Sequence, residues 1–319
     1  MYMLFIQLKR IAQALLRNIR RIIFLVIWFI VLCSISLTLT PLLYTTALLR
    51  LIPIAPWQDA MRRAGLWCDV TWQRFPVWLM LYLNRVDVQV YGLSAVKPDG
   101  RYLLIANHQS WTDAFPMFYL RTRGFPPFKV FCKWQVLFIP LVNFVALALD
   151  FPLMNRYKAE TLRKNPKLRN KDLITTQKAC KKIYQHPFSL LNFCEGTRFT
   201  REKHLKQQSP YQHLLSPKAG GMAVAVQSLS GHLDKILSIT IGYPDGCNSF
   251  ISFLAGDVRQ IIVRIDEVTL PHALQSGDYL HDAHHRDRFK HWLEHHWHEK
   301  DRHLHDMLKA KHKYWHYPK

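Results

Sequence analysis

An uncharged apolar stretch from Ile22 to Leu49 constrains the fold more than any other feature of this sequence. As a straight helix it would extend about 42 Å, against about 30 Å of bilayer hydrocarbon. A signal peptide would have a shorter apolar region and a small-residue cleavage site. The sequence therefore predicts a retained hydrophobic helical membrane anchor at the N-terminus. Five basic residues precede it: Lys9, Arg10, Arg17, Arg20 and Arg21.

The flanks of this stretch leave its path through the membrane open. The positive-inside tendency puts the N-terminus in the cytoplasm, and a single span would then export the rest of the chain. The downstream flank is equally basic, however, and Pro41 would kink or break a helix inside the stretch. We therefore favour two helices that enter and leave on one side over a true span. A second apolar cluster, Pro76 to Leu83, is too short to cross and is rich in Trp and Tyr, as interfacial segments are.

After residue 85 the pattern changes to short apolar runs separated by helical stretches, which is typical of an α/β domain with a largely parallel sheet flanked by helices. The predicted strands are VDVQVYG, RYLLIAN, KVFCKW, SLLNFCEG and ILSITIGY. We expect an anchor with interfacial helices over residues 1–84 and the α/β domain over 85–270. Residues 271–319 form a basic tail that is expected to be helical, and its part from Asp278 to Lys319 holds 11 of the 17 histidines.

The net charge of +21 predicts a polyanionic partner, which could be nucleic acid, anionic lipid or a phosphorylated substrate. A basic stretch from Lys158 to Lys182 could bind such groups or could be a solvated helix face. The six cysteines form no CxxC pair, which argues against a zinc ribbon and a disulfide scaffold. Histidines in the tail recur one helical turn apart, but no acidic or cysteine ligands accompany them. We expect no metal, and a tail helix that lies on the membrane surface.

The motif NHQSWTD, from Asn107 to Asp113, directly follows a predicted buried strand. Ligands bind at this edge of open α/β sheets. A carboxylate five residues after His108 can accept a hydrogen bond from one ring nitrogen and leave the other free to take a proton. A histidine and an aspartate at this spacing are usually incidental, so the motif alone decides nothing.

A second motif, FCEGTR from Phe193 to Arg198, closes another predicted strand. Its turn offers a flexible backbone and a guanidinium suited to a phosphate group. Taken alone, the same residues would be a surface turn with a salt bridge.

The two motifs in this order resemble the NHxxxxD and FPEGTR motifs of the glycerolipid acyltransferase family, which includes the lysophosphatidic acid acyltransferases. The resemblance covers about residues 85 to 265, and the segment LDFPLMNR is similar to the branch of lysocardiolipin-type enzymes. It implies that His108 is a general base oriented by Asp113. It also implies an acceptor site shaped by Glu195, Gly196 and Thr197. The acceptor phosphate would be held by Lys133, Arg156 and Arg198.

The resemblance further implies transfer of a fatty acyl chain from acyl-CoA or acyl carrier protein to the sn-2 hydroxyl of lysophosphatidic acid. No cofactor and no nucleic acid are expected, and the catalytic domain is expected on the cytoplasmic side of the inner membrane. Three residues depart from the family pattern, namely Asp150, Asn155 and Cys194. Two alternatives stay open: another lysophospholipid acceptor, of lysocardiolipin or lysophosphatidylglycerol type, and a catalytically silent lipid-binding protein. A membrane-tethered nucleic-acid binder has only the charge in its favour.

Overall fold

The fold is a computed structural model that describes residues 2–133, 135, 138, 149–154, 174, 177–180, 183–247, 249–279 and 281–310. Two long helices come first, α1 (Tyr2–Leu49) and α2 (Ala55–Trp78), and α2 continues into a π-helical turn at Leu79–Leu83. The basic stretch from Lys158 to Lys182, named as a possible anion-binding surface, lies mostly outside the described residues.

The described strands are, in chain order, β1 (Asp87–Tyr91), β2 (Arg101–Ala106), β3 (Phe128–Val130), β4 (Cys132–Lys133), β5 (Leu153–Met154), β6 (Phe188–Phe193), β7 (Lys235–Gly242) and β8 (Gln260–Val268). Six of them form a sheet at the centre of the domain, with strand order β1-β8-β7-β2-β6-β3. Neighbouring strands in this sheet run parallel, except that β7 and β8 are antiparallel. The two short strands β4 and β5 pair with each other in parallel.

The predicted α/β class with a largely parallel sheet is confirmed. The predicted strand KVFCKW is divided between β3 and β4. Strand β8 was not predicted, and it brings the antiparallel pairing to the sheet. A charged residue, Arg264, interrupts its apolar run, and its side chain lies 2.7 Å from Asp266 on the same strand. That local ion pair lets an arginine occupy a buried strand.

Side chains alternate across β2 and pack into two cores, one on each face of the sheet. Leu104 contributes to the core beneath α3, and Leu103 contributes to the core beneath the C-terminal helices. The remaining described helices are α3 (Ala114–Thr122), α4 (Arg201–Gln207), α5 (Ala219–Ser228), α6 (Phe250–Leu254), α7 (His272–Gln275) and α8 (Ala283–Lys309).

Helix α1 runs without a break through Pro41, so the expected interruption there is wrong. The chain reverses after Leu49 instead, and α2 begins at Ala55 with a proline in its first turn, where proline is well tolerated. The two helices are joined by side-chain hydrogen bonds, such as the one from Trp72 Nε1 to Ser36 Oγ at 3.2 Å. Packing against α2 stabilises the helix across a residue that removes one backbone donor.

Helix α1 is long and apolar enough to cross a membrane by length and composition. Its apolar half is nevertheless docked on the domain through Trp28, which is fully buried. The Trp28 indole donates to Asn84 Oδ1 at 3.1 Å and meets the ring of Phe115 edge to face. The predicted interfacial cluster is divided, because Met80 is buried while Tyr82 is 66% exposed. One face of α1 therefore belongs to the core of the α/β domain.

The C-terminal helix α8 packs on the sheet, so only its exposed basic face is left for the membrane surface on which it was expected to lie. Its apolar stripe, which includes Phe289 and Trp297, belongs to the same core as Leu103 of the central strand. An apolar face already buried against the sheet cannot also enter a lipid surface.

Candidate active site

The loop that follows β2 is attached to the neighbouring strand by the side chain of Asn107. Its Nδ2 donates to the carbonyl oxygen of Ile241 at 2.9 Å, and its Oδ1 accepts from the Ile241 amide at 2.9 Å. The side chain thus mimics a strand backbone and continues the β2–β7 pairing by one residue. Because Asn107 is fully buried, these bonds fix where the next residue, His108, begins.

A capping box at the start of the next helical turn brings Asp113 back to His108. Ser110 Oγ accepts from the amide of Thr112 at 3.2 Å, and Asp113 Oδ2 accepts from the amide of Ser110 at 3.1 Å. The same Oδ2 accepts from the amide of Gln109 and lies 2.7 Å from His108 Nδ1. The five-residue spacing therefore follows from a turn that this sequence forms locally. An ionised carboxylate only accepts, so Nδ1 donates and Nε2 is the unprotonated nitrogen.

Tyr243, at the end of β7, holds the other oxygen of this carboxylate. Its hydroxyl donates to Asp113 Oδ1 at 2.7 Å. Burial and the adjacent Asp113 carboxylate both raise the pKa of Tyr243 well above its usual value, so the hydroxyl keeps its proton and remains a donor. Tyr243 was not predicted as a site residue, although it closes the predicted strand ILSITIGY. No feature near it in the sequence relates it to Asp113.

The imidazole of His108 is stacked on Phe193, with ring centroids 4.1 Å apart and an interplanar angle of 20°. Its side chain is 18% exposed, whereas that of Asp113 is 1% exposed. Among the described residues, none makes a hydrogen bond to Nε2. The ring is thus clamped between a carboxylate and an aromatic face, with its basic nitrogen available to a ligand.

Glu195, from the second motif, lies behind the His108 loop. It is fully buried, and its two oxygens accept from the amides of His108 at 2.9 Å and Leu215 at 3.0 Å. Burial raises the pKa of Glu195 to about 7, while the two amide donors favour the ionised form. The second motif is therefore hydrogen-bonded to the backbone of the first.

The other residues of the second motif lie among basic side chains. Gly196 has a φ of +68°, and a Cβ there would lie 3.1 Å from the side chain of Lys218. Lys203 Nζ donates to Thr197 Oγ1 at 2.8 Å and to the carbonyl oxygen of Arg198 at 3.0 Å. The sequence analysis did not single out Lys203. These residues provide a cationic surface next to the backbone turn.

Arg198 lies against the motif that contains His108. Its guanidinium carbon is 4.7 Å from the ring centre of Trp111, which is 63% exposed. The two predicted motifs therefore meet in space. Of the other predicted phosphate ligands, Arg156 lies outside the described residues, and only the backbone of Lys133 is described, in β4.

An apolar cavity of about 580 Å³ begins at His108 and extends between α1, α2 and α3. Leu43 and Cys68, which belong to a small separate core, line it together with Leu191 and Phe193 from β6. A cavity of this size and composition suits an apolar ligand.

Asp150, which departs from the family pattern, adopts the backbone conformation that favours glycine. Its φ is +52°, a left-handed value that asparagine and aspartate tolerate better than most residues. Its carboxylate lies 2.8 Å from Arg50, at the end of the anchor helix. Asp150 therefore allows the backbone turn that glycine would allow, and its carboxylate adds an ion pair to the end of the anchor helix.

Comparison with known proteins agrees with this geometry. The family model named Acyltransferase matches residues 87–243, which include both motifs and the strands that carry them. The match covers just under half of the chain, and it confirms over these residues the family resemblance that the two motifs indicated.

Two relatives are each 27% identical to this chain over the residues that align. One is 1-acyl-sn-glycerol-3-phosphate acyltransferase gamma of Mus musculus, aligned over 139 residues, which is 40% of this chain and 34% of the mouse protein. The other is an uncharacterized acyltransferase of Saccharomyces cerevisiae, aligned over 229 residues, or 60% of this chain and 57% of the yeast protein. This chain thus spans between a third and three fifths of the length of these relatives.

The fold of this chain is also found in a crystal structure, that of the 1-acyl-sn-glycerophosphate (LPA) acyltransferase PlsC from Thermotoga maritima. The superposition covers 95% of this chain and all of the other, with a TM-score of 0.54 and 19% sequence identity. At that identity the match concerns the fold, which includes the helices before the sheet.

Proposed function

We propose that this acyltransferase moves a fatty acyl chain from acyl-CoA or acyl carrier protein to the sn-2 hydroxyl of lysophosphatidic acid. The product would be phosphatidic acid, a precursor in phospholipid biosynthesis. The observation that carries the proposal is a histidine held by a buried carboxylate, between an apolar cavity and a cationic turn. The names of the mouse relative and of the Thermotoga structure support this choice of acceptor.

In the proposed mechanism His108 acts as the general base. Its Nε2 takes the proton of the acceptor hydroxyl as that oxygen attacks the thioester carbonyl. The new carbon–oxygen bond gives a tetrahedral oxyanion, and its collapse breaks the carbon–sulfur bond. The departing thiolate takes the proton from His108, so the free thiol leaves and the base is restored. No acyl-enzyme forms on this route.

Asp113 would serve this step through charge and orientation. Its carboxylate holds the tautomer that leaves Nε2 basic, and it stabilises the imidazolium that forms when the proton is taken. The bond from Tyr243 to Oδ1 and the amide donors to Oδ2 restrain both oxygens of Asp113. Stacking on Phe193 restrains the imidazole itself. A base held in this way needs little rearrangement before it reacts.

The acceptor and the donor would occupy opposite sides of His108. A phosphate monoester suits the guanidinium of Arg198, which can bind two oxygens at once, with Lys203 and Lys218 adding positive charge nearby. We propose that Lys133 and Arg156 join this set, and that Glu195, Gly196 and Thr197 shape it. The acyl chain would enter the apolar cavity, which brings its thioester to the imidazole.

We also propose that α1 and α2 form a one-sided anchor and that the catalytic domain faces the cytoplasm, where acyl thioesters are made. Docking of Trp28 inside the domain supports this, because that part of α1 cannot stand apart in a bilayer. Acyl-CoA does not cross membranes. Membrane vesicles should therefore turn it over only when their cytoplasmic face is outward, and equal turnover by sealed right-side-out vesicles would contradict this orientation.

The central test is turnover by the purified full chain in detergent. With lysophosphatidic acid and either donor, free thiol and phosphatidic acid should appear in equal amounts, and His108→Ala should abolish both. His281→Ala is a matched control, since this histidine is 59% exposed and lies in the C-terminal region. Activity that survives His108→Ala would remove the mechanism.

The acceptor needs a separate measurement, because the departures at Asp150 and Asn155 concern its site. Products should be compared by mass spectrometry after incubation with equal amounts of lysophosphatidic acid, lysophosphatidylglycerol and lysocardiolipin. A preference for either of the last two would replace the acceptor and keep the chemistry. No turnover of any of them would favour a lipid-binding protein without catalysis.

A further inference from the structure

The C-terminal helix α8 lies outside the residues that the family model matches, yet it is hydrogen-bonded to the elements that form the active site. Three residues within about one turn of this helix, Trp297, Lys300 and Asp301, supply these bonds. None of them has a part in the mechanism proposed above.

Lys300 ties together the two strands that lead into the His108 loop. Its ammonium is 1% exposed and lies 3.3 Å from the carbonyl oxygen of Ile105 in β2 and 2.7 Å from that of Ile239 in β7. The hydroxyls of Ser238 and Thr240 lie within 3.2 Å of the same nitrogen. Ile105 is two residues before Asn107, and Ile239 is two residues before the Ile241 backbone that Asn107 binds.

Asp301 and Trp297 hold the segment of residues 209–216, here called the 209–216 loop. The two carboxylate oxygens of Asp301 accept from the amides of Gln212 at 2.7 Å and His213 at 2.8 Å. The Trp297 indole donates to the carbonyl oxygen of Leu215 at 3.0 Å. The loop has no regular secondary structure, so its backbone depends on such side-chain partners.

The 209–216 loop in turn holds the catalytic motif at two points. The amide of Leu215 donates to Glu195 Oε2, and the other oxygen of Glu195 accepts from the amide of His108. In addition, Gln109 Nε2 donates to the carbonyl oxygen of His213 at 3.3 Å. A continuous set of hydrogen bonds therefore runs from α8 through the loop to the backbone amide of His108 and to the side chain of Gln109.

We propose that Asp301, Trp297 and Lys300 are positioning residues that set the location of the His108 backbone through the 209–216 loop and the ends of β2 and β7. The inference rests on the proposed function, since it assigns the helix a part in that reaction. Helix α8 then contributes to catalysis by positioning the base. In an acyltransferase of this type that lacked the helix, the position of the catalytic histidine would be poorly defined.

The first experiment uses Asp301→Ala, because Asp301 is only partly buried and its removal opens no core cavity. We expect kcat to fall about tenfold with little change in KM for either substrate, since misplacing a catalytic group by a fraction of an ångström costs this much. Asp301→Asn, which keeps one acceptor oxygen, should recover part of the loss. Arg302→Ala on the same helix is the control, because Arg302 is 76% exposed.

The second experiment asks whether the effect passes through Glu195. The substitutions Asp301→Ala and Glu195→Gln should each lower kcat, and together they should cost clearly less than the product of the two losses. Trp297→Phe, which removes the indole donor and keeps an aromatic ring in the core, should behave like Asp301→Ala. Losses that multiply, or that follow the melting temperature alone, would reduce these residues to ordinary stabilisers of the fold.

Hydrogen exchange gives a readout that does not depend on the substrate. In Asp301→Ala the amides of His108 and Leu215 should exchange faster than in the wild type, whereas those of the β6 strand should not change. An inactive wild type would defeat the proposed function and leave this measurement valid. An active wild type whose kcat and amide exchange are unaffected by Asp301→Ala would overturn the positioning role.

Discussion

The two sides of His108 are built in opposite ways. On one side, Asp113 contacts the imidazole and Glu195 accepts from the backbone amide of His108. Tyr243 donates to Asp113, and both Glu195 and Tyr243 come from distant parts of the chain. On the other side lies an open apolar cavity whose walls come from the anchor helices and from β6. In the proposed mechanism the polar side would fix the geometry of a proton transfer. The apolar side would hold the acyl chain by shape and burial, which tolerates variation.

If the polar and apolar sides of His108 have these separate roles, the largest loss of activity should follow a substitution of Asp113, at the centre of the polar side. Asp113→Asn keeps the size of the side chain but removes the charge that fixes the imidazole tautomer. We expect kcat to fall by about a thousandfold with an unchanged acyl-chain preference, by analogy with histidine–carboxylate pairs in other enzymes. Steady-state kinetics with donors of several chain lengths provide the measurement. A change in chain preference of similar size would show that the two sides are not separate.

The next effect should come from the cationic turn. Arg198→Ala would remove the proposed charge-assisted contact to the acceptor phosphate, and we expect KM for lysophosphatidic acid to rise about thirtyfold, the equivalent of about 2 kcal/mol. The KM for the donor should stay the same. Arg201→Ala, at the exposed start of α4, is the matched control. Equal rises in both KM values would contradict a specific phosphate contact.

The sequence predicted the local parts of this arrangement and missed the distant ones. The pairing of His108 with Asp113 depends on a capping box of four residues. The strands that carry both motifs are short apolar runs. Each of these features can therefore be predicted from a few consecutive residues. The bonds from Tyr243 and Asp301 join residues more than eighty positions from their partners. Nothing in the windows around these residues indicates such contacts.

The same distinction explains the corrections to the helices. Proline at position 41 was expected to break a helix because its own chemistry disfavours one, yet packing against α2 keeps α1 intact. Likewise α8 has the composition of a surface helix, and only the fold reveals that its apolar stripe is covered by the sheet. Propensity is a local property, and in both helices tertiary packing decides the outcome.

The buried Lys300 belongs to the outer part of the polar side, and its contribution can be measured through the pH dependence of the free energy of unfolding. Burial lowers the pKa of Lys300 from 10.5 to about 7, so between these values the unfolded chain binds a proton that the folded chain does not. The free energy of unfolding should therefore rise with pH across this window, by up to about 1.4 kcal/mol per unit from this group. Unfolding in detergent at pH 7.5 and 8.5 should show the rise in wild type, and Lys300→Met should lack it. An equal pH slope in both proteins would contradict this.

The apolar side should respond to volume rather than to charge. Cys68→Phe adds bulk to a buried position on the cavity wall, so long acyl chains should lose more than short ones. We expect the ratio of kcat/KM for long over short donors to fall about fivefold, an effect of about 1 kcal/mol. Cys68→Ser, which changes polarity at similar volume, is the control and should keep the ratio. A uniform loss over all chain lengths would indicate damage to the polar side instead.

The smallest effect should come from the outer edge of the polar side. Tyr243→Phe deletes one donor to Asp113 Oδ1, while Oδ2 keeps its contacts with two amides and the imidazole. Because the charge of Asp113 and its bond to His108 survive, we expect kcat to fall only about threefold, with both KM values unchanged. Tyr82→Phe, at a residue 66% exposed, is the control. A loss as large as that of Asp113→Asn would mean that Tyr243 itself takes part in proton transfer. The polar side would then contain two working groups, and the simple division around one imidazole would fail.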